Sequence, residues 1–377
     1  MKRIIFFLSV LCLFSCERGP LLNSEADIID VILPKEMLAG KPIITNTTVR
    51  IPALAVSNND KVQLDEQLQH LAPQFVLSEG AKILDADAPR DFREPQQYTV
   101  VSEDGKWQKN YKVSFFESKF DAKFFDFSHS ELVNNKYVEF YELMNDVKFN
   151  VWASGNAGFA LTAGNAVSDL YPTFSTPNGK NGAGVKLVTR STGSLGAMVK
   201  MPIAAGNLFL GNFEVGKAMT KPLEATQFGV QTTQNKPLKL GVWAKYKAGE
   251  VYKDKNGKVL QKKDAPNIYA VLYKAKINAN GKPVKLNGTN ILTGDTIVCI
   301  AVLSAEQADY IKVNNIESDP YKYIEIPFEE RKPFDTEQQH SRSYYFAIVF
   351  SSGLNGDLFE GAVGSTLCID EVEVFDN

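Results

Sequence analysis

The sequence predicts an all-β protein, with an N-terminal immunoglobulin-like β-sandwich followed by a larger jelly-roll β-sandwich. Apolar and polar residues alternate with period two through many short segments, as half-buried strands require. Clusters of Gly, Asn and Pro separate those segments, and beyond residue 150 no strong helical period interrupts them. Aromatic side chains make up 11% of the chain, with 24 Phe and 14 Tyr, and they fit a pleated surface.

The chain opens with "MKRIIFFLSVLCLFSC". Lys2 and Arg3 precede an apolar run, Ile4 to Leu13, that is too short to span a bilayer as a helix. Its end, Leu13-Phe14-Ser15-Cys16, resembles a bacterial lipobox. That resemblance implies cleavage before Cys16 and diacylation of its thiol, with residues 1–15 as signal peptide and 16–25 as tether. Two acyl chains suffice for stable membrane attachment. The expected location is the outer membrane, facing the periplasm or the cell surface. A plain secretory signal with an incidental cysteine is the other reading. Loss of Lys2 and Arg3 takes the formal net charge of −3 further negative. With no basic block, nothing in the chain recommends a nucleic-acid partner.

Residues 26–118 read as the first sandwich. "ADIIDVILP" is a strand stopped by Pro34, and "TNTTVRIPAL" sets Val49, Ile51 and Ala53 on one face. "QYTVVSEDGKWQKNYKVSFF" reads as a hairpin, with Tyr98 and Val100 opposite Tyr111, Val113 and Phe115 around an Asp104-Gly105 turn. The pieces "NSEADIIDVILP", "LAPQFVLSEGAKI" and "DFREPQQYTVVSEDGKWQKNYKVSF" resemble the immunoglobulin-like N-terminal domains of Bacteroidetes surface lipoproteins. The resemblance implies a spacer or support.

A linker around Glu117 to Asp121 leads into the second domain, residues 123–377. A short helical turn is expected near Ser128 to Asn134. Strands then follow as "GVKLVTRST", "GAMVKMP", "LKLGVWAKYKAG", "NIYAVLYKAKI", "DTIVCIAVL", "YKYIEIPFE", "SYYFAIVFSS" and "LCIDEVEVF". So many strands in one stretch suit a jelly roll. Both faces of the Tyr269 strand are apolar, because Tyr269, Val271 and Tyr273 alternate with Ile268, Ala270 and Leu272. It reads as a central strand buried on both sides. Cys299 and Cys368 sit inside strand patterns and read as buried thiols. His70, His129 and His340 have no ligand-spaced partner for zinc.

Several segments could carry chemistry. In "LKLGVWAKYK", period two puts Trp243 on the lysine face, where its ring could stack on a sugar. Asp264 precedes the Tyr269 strand, whose tyrosine could line a pocket. The stretch Ala153 to Gly184 reads as one long Gly-rich loop, with Trp152, Asn156, Tyr171 and Phe174 as candidate rim residues. Near the C-terminus, "FSSGLNGDLFEGAVGSTLCIDEVEV" is a Gly-rich loop able to turn Asp357 and Glu360 inward. Glu371 and Glu373 sit two apart on a strand and read as a solvated face. Asp370 is a candidate ligand for a structural Ca²⁺, and no other cofactor is expected. Phosphate-loop, zincin and nucleophile-elbow motifs do not occur.

The segments "GNLFLGNF", "KPLKLGVWAKYKAG", "DAPNIYAVLY" and "FSSGLNGDLFEGAVGSTLCIDEVEV", in this order, resemble the putative carbohydrate metabolism domain of Bacteroidetes lipoproteins. The resemblance covers residues 123–377 and implies a jelly roll with a sugar site. It implies no established reaction. The resulting expectation is a monomeric surface lipoprotein, held to the membrane through Cys16, that binds a saccharide. Trp243, Tyr269, Asp264, Asp357 and Glu360 are the site candidates. The alternatives are a glycoside hydrolase or lyase using Asp357 or Glu360, and a structural or adhesive surface protein.

Overall fold

A computed structural model describes residues 22–33, 42–54, 66–84, 88–118, 122–144, 147–162, 166–231, 235–279, 283–335 and 344–376. The leader residues, Cys16, His340 and the centre of the expected linker lie outside them. The described residues fall into two units: those within 22–33, 42–50 and 69–115 form one, and those within 51–54, 66–68 and 116–376 form the other.

The smaller unit packs one sheet on another. Its larger sheet runs Ile43–Ile44, Thr48–Leu54, Gln108–Ser118, Gln96–Val101, Lys82–Ile83, and a separate pair joins Ile28–Ile32 to Gln74–Leu77. The alternation read in the sequence is the alternation of burial: Val49, Ile51, Tyr98, Val100, Tyr111 and Val113 are all buried. Phe75, from the pair, meets Tyr98, from the sheet, with ring centroids 4.8 Å apart. At the hairpin, Asp104 Oδ1 accepts from the Lys106 N–H at 3.0 Å while Gly105 takes φ +70°, which favours the glycine expected there.

The larger unit is a two-layer sandwich. One sheet runs Thr173–Thr176, Gly184–Val188, Thr366–Asp376, Pro237–Lys247, Lys322–Pro327. The other runs Leu286–Asn287, Thr226–Phe228, Asn207–Phe213, Tyr344–Ser351, Asn267–Lys274, Ile297–Val302, Glu329–Glu330. Among the described residues, these strands pair antiparallel throughout. The chain passes back and forth between the layers, so strands distant in sequence become neighbours, as a jelly roll requires. Leu240, Val242, Ala244 and Tyr246 from the first sheet interlock with Ile268, Ala270, Leu272 and Ile348 from the second.

The second sheet is also buried on its outer face. There Phe209, Tyr269, Val271, Tyr273, Tyr345 and Val349 lie under a cover formed by residues near Phe228, Leu286 and Ile291. This is why both faces of the Tyr269 strand read as apolar. Tyr273 holds the cover down by donating its hydroxyl to the Phe228 carbonyl at 2.7 Å. Gly211 lets the cover strand come close: at φ +147°, a Cβ there would stand 2.1 Å from the Gln227 carbonyl oxygen.

Two local expectations are corrected. Residues Ser130–Val133 form a strand paired with Tyr137–Phe140 rather than a helical turn. The Lys136 N–H donates to the Val133 carbonyl at 2.9 Å, and Asn134 and Asn135 take φ of 52° and 55°. Two left-handed residues in succession twist with the strands, and asparagine tolerates that conformation. The supposed long loop from Ala153 to Gly184 holds a short helix, Asn156–Phe159, and a sheet strand, Thr173–Thr176. Its polar residues are used internally: the Asn156 side-chain amide donates to the Thr173 carbonyl at 2.7 Å and accepts the Thr173 N–H at 3.1 Å.

Candidate functional site

A cavity of about 700 Å³ opens on the outer face of the second sheet, beside the cover. Register builds its floor. Asn207 and Asn267 both pair with Ser351, one from each flanking strand, which makes a polar row across three strands. Two residues on, Phe209 and Tyr269 both pair with Val349, and Tyr269 also pairs with Val302, which makes an apolar row. Period two points both rows to the same side.

Four segments wall the floor. Gly155, Gly158 and Phe159 come from the short helix, and the Gly155 N–H donates to Asn207 Oδ1 at 2.8 Å. Met201 and Ala205 come from the stretch before the Asn207 strand, Phe213 from the far end of that strand, and Leu223 and Leu292 from the cover. The fourth wall is the C-terminal Gly-rich loop, through Gly353 to Phe359. Its turn Gly356–Leu358 carries Asp357 and ends on Phe359 at φ +59°. A non-glycine residue in that conformation costs about 1 kcal/mol, strain located beside the one cavity-facing carboxylate. Among the described lining residues, Asp357 is the sole charged side chain.

The loop is pinned from below by Asp264. This side chain is only 2% exposed, and it accepts the Ala362 N–H at 2.9 Å and the Ser365 hydroxyl at 2.8 Å on Oδ2. Ser365 in turn accepts the Gly249 N–H at 3.0 Å. Burial raises the Asp264 carboxyl above its ordinary value, against the lowering effect of these donors. Gly361 leaves the necessary room, because a Cβ there would lie 3.0 Å from Asp264 Oδ2. At the loop's start, Ser352 accepts the Gly206 N–H at 2.9 Å and bonds the Thr189 hydroxyl at 2.9 Å. Further along, Asn355 donates to the Tyr252 hydroxyl at 2.8 Å.

Two of the five candidates named from the sequence therefore meet at the cavity. Tyr269 is on the floor and Asp357 on the wall. The Tyr269 phenol is pushed well up, first by burial and then by the nearby Asp357 charge. The Asp357 carboxyl is itself raised by partial desolvation, although its side chain remains exposed to the cavity. Asp264 points into the loop it holds. Glu360 lies outside the lining, and its N–H donates to the Asn355 carbonyl at 3.2 Å. Trp243 stands on the outer face of the other sheet. There its ring lies 5.3 Å from that of Tyr323, with the Lys180 ammonium 4.5 Å over it.

Other expectations resolve structurally. Trp152 is buried and donates its indole N–H to Glu142 at 2.7 Å, while Tyr171 is fully buried. Asp370 accepts the N–H groups of Lys180, Asn181 and Glu371 at 2.7, 3.0 and 2.8 Å. Among the described residues, no cluster of three or more His, Cys, Asp or Glu could hold a metal ion. Glu371 occupies a β-bulge at φ +43°, and beyond it Glu371 and Glu373 stay half-exposed while Val372 and Val374 are buried in the core. The sequence reading passed over Asn207, Asn267 and Ser351. Their one local signal is a polar residue at a strand end, in phase with an aromatic two residues inward.

The C-terminal unit matches a family model described as "Putative carbohydrate metabolism domain" over residues 124–375, two thirds of the chain. The chain belongs to this family. Residues 45–114 match a second model, described as "SGBP, N-terminal". The crystal structure of a putative glycoside hydrolase from Bacteroides thetaiotaomicron is similar at 40% identity and a TM-score of 0.64, covering 96% of this chain and 99% of that one. A second putative glycoside hydrolase, from Bacteroides vulgatus, is similar at 35% identity and a TM-score of 0.60, covering 69% of this chain and 100% of that one. No curated protein matches. The family places the protein in carbohydrate metabolism, and its fold is the all-β architecture that the strand pattern predicts.

Proposed function

We propose that the protein is a cell-surface lipoprotein, anchored through Cys16 and acting as a monomer, that binds a saccharide in the cavity of the larger unit. The observation that carries this reading is the composition of one floor: an aromatic row, Phe209 and Tyr269, directly beside a polar row, Asn207, Ser351 and Asn267. A sugar ring presents both an apolar C–H face and a rim of hydroxyls. Aromatic carbon and fixed hydrogen-bonding groups side by side match those two surfaces. Asp357 adds a charged acceptor, and hydrogen bonds to charged groups are the stronger ones. Asp264 acts here as the pin of the Asp357 loop, and Asp370 as a pin of the loop at Lys180.

A glycan array followed by calorimetry tests the reading. Tyr269→Phe removes one neutral hydrogen bond and weakens binding about five-fold, while Asp357→Asn removes a charge-assisted one and weakens it about thirty-fold. Wild-type affinity in both variants would remove the cavity from consideration.

One observation supports a second reading, hydrolysis. The raised Asp357 carboxyl keeps its proton to higher pH than an ordinary aspartate, as a general acid needs. Hydrolysis by paired carboxyls requires a second one about 5–9.5 Å away. Among the described residues, none lines the cavity. Turnover of a bound glycan, abolished by Asp357→Asn, would establish the enzyme; binding without turnover supports the receptor.

A further inference from the structure

We infer that the ligand is amphipathic: a sugar that carries an apolar aglycone, with the sugar at the Asp357 end of the cavity and the aglycone at the end beneath the cover. The inference rests on the saccharide reading and adds the class of saccharide. The cavity runs along the Asn207–Phe213 strand, and its two ends differ. At the Asn207 end lie Ser351, Asn267, Asp357 and the edge of Tyr269. Toward the strand's other end, where it pairs with Thr226, lie Phe213 and Leu223, with Ile291 and Leu292 lining the cavity from the cover; Phe228 packs on Phe209 between the two ends.

Several polar groups at the apolar end are used within their own turns. Thr226 donates its hydroxyl to the Leu223 carbonyl at 3.2 Å, and Thr289 to Asn287 Oδ1 at 2.7 Å. Asn290 Oδ1 accepts the Asn287 N–H at 2.8 Å. At the other end capacity remains. Asn207 uses one amide N–H, at 3.3 Å to the Ala205 carbonyl, and keeps its second. Asp357 keeps carboxylate lone pairs beyond those engaged by the N–H groups of its own turn.

A bare oligosaccharide would set hydroxyls against Phe213, Leu223 and Leu292, and a buried hydroxyl without a partner costs free energy. An aryl or alkyl group would instead displace water from Phe213 and Leu292. The volume agrees, because cavities of about 300–1,000 Å³ take drug-sized ligands and leave room beyond a single sugar ring. Leu292, on the cover, lines the cavity and is 38% exposed, so the apolar end is open to an entering group.

Calorimetry on the full chain with matched pairs tests this: the methyl and p-nitrophenyl glycosides of glucose, galactose, xylose and N-acetylglucosamine, with p-nitrophenol alone as control. For at least one sugar, the aryl glycoside is expected to bind about ten-fold or more tightly than its methyl partner. Leu292→Ser, at a partly exposed position, should shrink that ratio several-fold, whereas Asp357→Asn should weaken both partners alike. Equal affinity within every pair that binds would overturn the inference and leave the saccharide reading standing. Binding of p-nitrophenol as tight as that of its glycosides, or no binding by any glycoside, would overturn both.

Discussion

Replacing Asp264 by alanine should both loosen and destabilise the loop that carries Asp357. The side chain is buried and receives the N–H groups of Ala265 and Ala362 and the hydroxyl of Ser365, at 3.0, 2.9 and 2.8 Å; the Leu354 N–H also bonds it. Asp264→Ala strands these donors. Each buried donor left unpaired costs about 1–3 kcal/mol. Two effects offset part of this: the carboxylate no longer has to be buried, and water can enter the vacated space. Removing one partner from a buried charged cluster typically nets about 3–5 kcal/mol, which for a unit of this size lowers the melting temperature by roughly 6–20 °C. Near-ultraviolet circular dichroism reads the transition, because Trp152 is buried in this unit. Glycan affinity measured well below the transition should also fall. Asp357→Asn, at an exposed position, should lower affinity without moving the transition. A loss of less than about 1 kcal/mol in Asp264→Ala would refute the argument that this residue pins the loop.

Burial raises Glu142 from 4.5 to about 7, so the folded state keeps a proton that the unfolded state releases. Its contribution to stability is complete below pH 4.5 and is lost as pH rises to about 7, by at most about 3 kcal/mol; urea denaturation at several pH values should show this slope, and Glu142→Gln should flatten it. Gly356→Val should weaken glycan binding several-fold while costing little stability, because a Cβ there would stand 2.5 Å from the Ala205 Cβ and push the Asp357 turn off the floor; unchanged affinity would separate the turn from the site. Trp243→Ala should leave glycan affinity unchanged and cost about 1–2 kcal/mol, from lost stacking on Tyr323 and Lys180; a loss of binding would return the site to the other sheet.

The architecture was legible because strand periodicity is local. Tyr98 with Val100, Leu240 with Val242, and Ile268 with Ala270 each show in a few residues which way a strand faces. The turn at Asn134-Asn135 was misread because two asparagines permit both a helical start and a left-handed turn, and only the pairing of Tyr137 with Val133 decides between them. The Ala153–Gly184 stretch misled for a related reason. Thr173–Thr176 is an edge strand whose polar side chains, unlike a core strand's, leave little apolar signal.

The site was half legible for a deeper reason. Asp357 and Glu360 stand three apart in a glycine-rich loop, and composition gives no ground for preferring one. What separates them is a turn held by Ser352, Asn355 and Asp264 through contacts with Gly206, Tyr252 and Ala362. Likewise Asn207, Asn267 and Ser351 are unremarkable singly. They become one polar row only because the jelly roll sets three strands, separated by 60 and 84 residues in sequence, side by side in register. A one-residue slip of the Tyr344–Ser351 strand would turn Ser351 and Val349 to the opposite face and break both rows at once. The sandwich core fixes the binding floor through Ile348 and Phe350, which alternate with those two residues and are completely buried between the sheets. The residues that define the register are thus core residues, and the chemistry of the cavity depends on packing that never touches it.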